Sequence, residues 1–204
     1  MPFPGRRETS SRADWLIVGL GNPGAEYART RHNVGFMVAE LLVKRWDLGK
    51  SKSKYRGLLA EGRFGTPGID SQRVAVLQPQ TYMNEAGDSV GPARGALGVD
   101  LDHLLVVHDE IDIPFGDIRV RLGGGLAGHN GLKSIRRGLG SSEFGRVRVG
   151  VDRPPTTDPD RVAAYVLGRF SQSPADVAEL VERAADAVER VLRDGYPQSA
   201  PVNS

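Results

Sequence analysis

The stretch from Gly19 to Phe36, GLGNPGAEYARTRHNVGF, constrains this chain more than any other. It follows an apolar run, Trp15-Leu16-Ile17-Val18, that reads as a buried strand. It leads into apolar residues at Val34, Val38, Leu41 and Leu42, the spacing of one helix face. Strand, glycine-rich connection and helix in that order belong to an α/β architecture. In open α/β sheets, sites lie in loops at the carboxyl ends of strands. The connection here carries Asn22, Tyr27, Arg31 and His32, which makes His32 the first candidate for chemistry.

Gly19, Gly21 and Gly24 also fit the G-x-G-x-x-G dinucleotide fingerprint. That site needs a helix starting at the third glycine, so that its first N–H groups face a pyrophosphate. Here Pro23 stiffens the turn and the helical pattern begins only after His32. The acidic residue about twenty positions on, Glu40, falls mid-helix rather than at the end of a second strand. The glycines are better read as places where backbone turns tightly or approaches something closely.

A chain of 204 residues with 39% hydrophobic and 25% charged content suits one globular domain with a single core. No apolar run approaches the roughly 18 residues needed to span a bilayer, and MPFPGRRETSSR lacks the apolar centre of a secretory signal. A cytoplasmic protein is therefore expected. With no cysteine, a disulfide framework, a thiolate nucleophile and a Cys-based zinc site are all excluded. The net charge is only +2, so nucleic-acid binding would need a local basic patch.

Residues 1–13 read as a flexible extension, 14–196 as one domain and 197–204 as a tail. LGKSKSKYRG reads as a basic, exposed connection. Gly57–Phe64 and Arg73–Leu77 read as strands joined by a Gly65-Thr66-Pro67-Gly68 hairpin loop. QPQTYMN then enters a weak helix containing Gly87 and Pro92. Leu104–Val107 is a continuous apolar run, as in a central strand. Ile118–Leu122 and Val147–Val151 alternate, and Tyr165–Leu167 reads as a further short strand. Leu132, Ile135 and Leu139 mark a helix after GHNG. The last helix has Ser173 as N-cap, Pro174 at the first position, Asp176 completing a capping box and Gly195 ending it. The fold class is α/β: a single domain with a mixed, mostly parallel twisted sheet flanked by helices.

Three polar clusters each follow a strand: Asn22 to His32, Met83-Asn84, and His108-Asp109 with His129-Asn130 beyond. Asparagine amides there can donate to a developing oxyanion without changing charge. A histidine beside a buried aspartate is held in one tautomer and becomes a better base. Asp109, just past the apolar strand, is the best-placed carboxylate, while His108 would point to the opposite face. On pattern alone, Asp109 as a turn cap and His32 bonded to a carbonyl stay open. No serine sits in a G-x-S-x-G elbow, so a His–Asp pair polarising water is simpler than covalent catalysis. His32, His103, His108, His129, Asp109, Glu110 and Asp112 are possible metal ligands, but there is no H-E-x-x-H spacing and no metal is expected. The cations Arg119, Arg121, Lys133, Arg136, Arg137, Arg146 and Arg148 surround the Gly123-Gly124-Gly125 run and suit a phosphate-bearing ligand.

GLGNPGAEYARTRHNVGF, PQTYMNEAG, VVHDEIDIPFG, RLGGGLAGHNGLKSI and FGRVRVGVDRP, in this order across about Trp15–Gly195, resemble the bacterial-type peptidyl-tRNA hydrolase family. The resemblance implies hydrolysis of the ester between a peptide and the 3′ ribose of tRNA, with no metal or cofactor. It implies His32 as base and Asp109 as the partner that orients it. Asn22, Asn84 and Asn130 are implied as substrate ligands near the ester. Tyr27, Tyr82, Met83 and His129 are implied around the cleft, and Arg121 and Arg148 at the tRNA 5′ phosphate. Peptidyl-tRNA, met at its acceptor stem, 3′ end and 5′ phosphate, is the expected partner, and a monomer is expected.

Departures from the family pattern include Ala86 in place of serine in MNxSG, arginine rather than lysine at 121, and the leader before Trp15. A non-catalytic RNA-binding relative on the same fold is the alternative reading. The retained His32, Asp109 and asparagines favour the enzyme.

Overall fold

A computed structural model describes residues 12–197. The expected N-terminal extension and C-terminal tail therefore lie almost wholly outside the described residues. The chain runs as β1 (Trp15–Gly19), α1 (Val34–Arg45), β2 (Lys52–Lys54), β3 (Gly57–Phe64), β4 (Gln72–Pro79), α2 (Gly87–Leu97), β5 (Leu104–Glu110), β6 (Ile118–Leu122), α3 (Asn130–Leu139), β7 (Gly145–Gly150), α4 (Pro159–Val166) and α5 (Pro174–Asp194). The strands form one sheet in the order β2-β3-β4-β1-β5-β7-β6. β4, β1, β5 and β7 pair in parallel, while β2, β3 and β6 join antiparallel.

The alternation of side chains across the sheet separates two cores. Trp15, Ile17, Val74, Val76, Leu105, Val107, Val147 and Val149 point to the layer of α1 and α5. Leu16, Val18, Ala75, Leu77, Leu104 and Val106 point to the layer of α2 and α3. Strands buried on both faces need continuous apolar runs, which is why β1 and β5 read as they do. Because β1 lies between β4 and β5, chain connections leave it toward opposite sides, and a crevice opens at the strands' carboxyl ends.

Two elements differ from expectation. The basic connection contains β2, a three-residue edge strand whose lysines discourage further pairing. Tyr165–Leu167 is not a strand: Tyr165 and Val166 end α4, capped by the Asp158 side chain, with Pro159 at its first turn. A three-residue apolar run has no period of its own, and the Asp158-Pro159 start was the stronger signal. Pro92 is accommodated inside α2. At α5 both halves of the Ser173–Asp176 capping box form.

Candidate active site

Close backbone packing sets the position of His32. Leu20 N–H donates to the Val107 carbonyl (3.0 Å), and Phe36 N–H to the Leu20 carbonyl (3.1 Å). A Cβ on Gly35 would sit 2.4 Å from Leu20 N and from Val107 O, so only glycine lets α1 press this tightly on β1 and β5. The short 3-10 turn Arg31–Asn33 is thereby laid against the end of β5, bringing His32 beside Asp109.

Asp109 is buried, and its Oδ1 is 2.9 Å from His32 Nδ1 and 3.0 Å from His129 Nε2. The other nitrogen of His129 decides the proton positions. Its Nδ1 accepts from the backbone N–H groups of Gly131 (3.1 Å) and Leu132 (3.4 Å), capping α3. An accepting Nδ1 is unprotonated, so His129 carries its proton on Nε2 and donates it to Asp109. His32 likewise donates from Nδ1, leaving its Nε2 as a lone pair on the cleft side. His32, Asp109 and His129 also lie close enough to be considered as metal ligands. A chelate would need the Nε2 lone pair of His129, and so a proton on Nδ1 facing two backbone donors. The donor set suits hydrogen bonding better.

The electrostatics follow from this arrangement. Burial opposes ionisation of Asp109, but its interactions and hydrogen bonds with His32 and His129 outweigh it and hold its pKa far below the usual carboxylate range. Burial likewise presses His32 down, yet the charge and hydrogen bond of Asp109 raise its pKa above the ordinary 6.5. His108, the preceding residue on β5, donates from Nδ1 to the Asp109 carbonyl at 2.7 Å, and its ring centre lies 4.9 Å from that of His129. Full burial, followed by the neighbouring His129, lowers its pKa and keeps it neutral.

Asn22 is fixed as a donor. Its Oδ1 accepts Met83 N–H (2.8 Å), which turns its amide NH2 group free of that bond. Its backbone is clamped by Asn33, whose Oδ1 accepts Asn22 N–H and whose Nδ2 donates to the Asn22 carbonyl, both at 2.9 Å. This clamp by Asn33 is a tertiary contact that no local pattern signals. Asn22, His32, Tyr82, Met83, Asn84, Asp109, His129 and Asn130 all line one cleft of about 700 Å³. Tyr27 is not among its lining residues; its backbone turns the chain through the Thr30 N–H and hydroxyl. Lys133, counted only in the basic set, does line it.

The basic face is sorted by pairing. Register sets Arg119 opposite Arg148 and Arg121 opposite Arg146, so all four arginines share one side of β6 and β7. Arg146 is buried and bonds the carbonyls of Gly123 and Gly125, which makes it a brace for the glycine run. Arg148 donates from Nε (3.2 Å) and Nη2 (3.1 Å) to buried Glu110, so this candidate phosphate ligand is already paired. Arg119 and Arg121 are exposed and have no ion pair among the described residues. Arg121 and Arg148 both lie outside the cleft lining.

An α/β domain with a histidine–carboxylate pair opening on a polar cleft, and no thiol, is the architecture of a hydrolase that activates water. The comparisons with known proteins narrow the class: the family model described as Peptidyl-tRNA hydrolase matches residues 16–203, and the chain belongs to that family. It is 45% identical to a peptidyl-tRNA hydrolase of Geobacillus thermodenitrificans over 185 residues, 90% of this chain and 95% of that one. It is 44% identical to one of Bacillus thuringiensis over 184 residues, with the same coverage. The crystal structure of peptidyl-tRNA hydrolase from Acinetobacter baumannii superposes with a TM-score of 0.74 at 36% identity, covering 89% of this chain and 88% of that one.

Proposed function

We propose that this hydrolase cleaves the ester joining a peptide to the 3′ ribose of tRNA, with His32 as general base and Asp109 as its orienting partner. The observation that carries the reading is the doubly bonded Asp109, which fixes His32 with Nδ1 protonated and Nε2 free. Water between Nε2 and the ester gives its proton to His32 as its oxygen bonds the carbonyl carbon. Asp109 stabilises the imidazolium, and the amides of Asn22, Asn84 and Asn130 support the oxyanion. Collapse breaks the bond to the ribose oxygen, which takes the proton back from His32. The products are a free peptide carboxyl group and a tRNA with its hydroxyl restored.

Arg119 and Arg121 are the cations free to meet tRNA phosphates, and Lys133 adds one at the cleft. Tyr82, Met83 and His129 shape the cleft around the ester. The reading needs neither metal nor cofactor. The reading takes the protein as a monomer acting in the cytoplasm, where tRNA is found.

The test is peptide release from an N-blocked aminoacyl-tRNA in EDTA, comparing wild type with His32→Asn. Release by the wild type should fall by a factor on the order of 10²–10⁴ in the variant, the range for losing a general base. No release by either, with tRNA still bound, would replace this reading with a non-catalytic RNA-binding relative. Activity restored only by added metal would overturn the mechanism while keeping the substrate.

A further inference from the structure

One wall of the cleft is made by α4 and the turn after it, through Val162, Ala163, Val166 and Leu167. This wall is oddly founded, because α4 has no buried residue. Its apolar residues Val162, Tyr165 and Val166 are only half-buried, so hydrophobic burial fixes this helix less firmly than the others. A second tie comes from Arg31, immediately before His32.

Arg31 is 6% exposed, yet it has no carboxylate partner among the described residues. Its Nη1 donates to the carbonyls of Tyr165 (3.1 Å) and Arg169 (2.7 Å), and its Nη2 approaches the Ser171 hydroxyl at 3.5 Å. The guanidinium lies 4.0 Å from the centre of the Tyr165 ring. Its backbone N–H donates to the Gly168 carbonyl (3.1 Å), and Thr30 beside it bridges to Arg169. The buried charge is met by carbonyl dipoles at the carboxyl end of a helix and by an aromatic face, both of which suit a cation. Among the described residues, the other side-chain hydrogen bond from α4 to the sheet layer is that of the Tyr165 hydroxyl, which donates to the Val151 carbonyl at 2.7 Å.

We infer that Arg31 is a positioning residue: it latches the α4 wall to the segment bearing His32 and so fixes the width of an apolar subsite for the acyl group. The inference rests on the hydrolase reading for its substrate. The tRNA end brings phosphates, riboses and bases, whereas only the acyl part of the substrate offers aliphatic or aromatic side chains to Val162, Val166 and Leu167. A planar fork and a stacking face are both in use, so lysine cannot replace Arg31.

The experiment uses Arg31→Lys and, as an independent way to open the latch, Tyr165→Leu. Hydrogen exchange of residues 159–168 should quicken by about tenfold or more in both, consistent with loss of charge-assisted bonds, while β1 and β5 stay protected. Release from N-acetylphenylalanyl-tRNA should fall by about tenfold relative to N-acetylglycyl-tRNA, with the pH profile of kcat unmoved. Unchanged exchange in 159–168 would show that the wall is held by other means and would overturn the latch. Equal losses on both substrates with a displaced acid limb would show that Arg31 acts on His32 itself, and would overturn the subsite. If the wild type released neither acyl group, the hydrolase reading would fall and the exchange comparison would decide the latch alone.

Discussion

At the scale of single residues, Asp109 does two jobs with one oxygen. It accepts from His32 and from His129, so each bond stabilises the anion that the other uses. Asp109→Asn removes the charge that raises the His32 pKa and keeps an acceptor of similar shape. A base is useful when neutral, so a raised pKa means activity falls as pH drops through a value above 6.5. Without the charge the His32 pKa drops, and the acid limb of kcat/KM should move to lower pH. At the same time kcat should fall, by a factor on the order of 10–10³, through loss of imidazolium stabilisation. An unmoved limb, or a large loss of tRNA binding, would mean that Asp109 serves the structure instead. His32 and Asp109 could be nominated from the sequence because each closes a strand or loop in a recognisable motif. The proton donated by His129 could not, since it depends on the cap geometry of α3.

At the scale of elements, the site is assembled by how closely helices approach the sheet and one another. Gly131, in the first turn of α3, faces the Met83 side chain: a Cβ there would lie 2.5 Å from Met83 Sδ and 2.8 Å from Leu20 Cδ1. Gly131→Ala would push α3 from the turn carrying Met83 and Asn84, and would strain the cap that holds His129. Overpacking of this kind costs about 1–3 kcal/mol. The expected result is a Tm lowered by several degrees and a kcat loss larger than the stability change explains, because Asn84, Asn130 and His129 all shift. Wild-type kcat with a lowered Tm would confine the role of Gly131 to packing. Long periodic elements were readable in advance: α5 shows its cap, stripe and stop, and β1 and β5 show their apolar runs. Short ones were not. β2 exists because β3 offers an edge, and α4 exists because Asp158 and Pro159 start a helix that Arg31 holds at its other end. In both cases a tertiary partner supplies what the local sequence lacks.

At the scale of the whole molecule, the chemistry and the charge occupy different parts of one sheet. The His32–Asp109 pair sits at the carboxyl ends of β1 and β5, while the arginine face lies on β6 and β7 at the far edge. The net charge of +2 gives no global attraction for tRNA, so binding must come from a few cations in register. Counting arginines in the sequence overstates that set. Arg146 is spent on carbonyls and Arg148 on Glu110, and only folding reveals which remain available. Arg121 remains. Arg121→Ala should therefore raise KM for a full tRNA substrate severalfold, while a short aminoacyl-ester analogue, which cannot span from the cleft to β6, should be hydrolysed as by wild type. Because a lost phosphate contact releases fewer counterions, the slope of log K against log salt should flatten by about one. Arg148→Ala would behave differently, since it strands buried Glu110 and should lower stability as well as affinity. Equal losses on both substrates for Arg121→Ala, or an unchanged salt slope, would move the tRNA path away from β6 and return Arg148 to consideration.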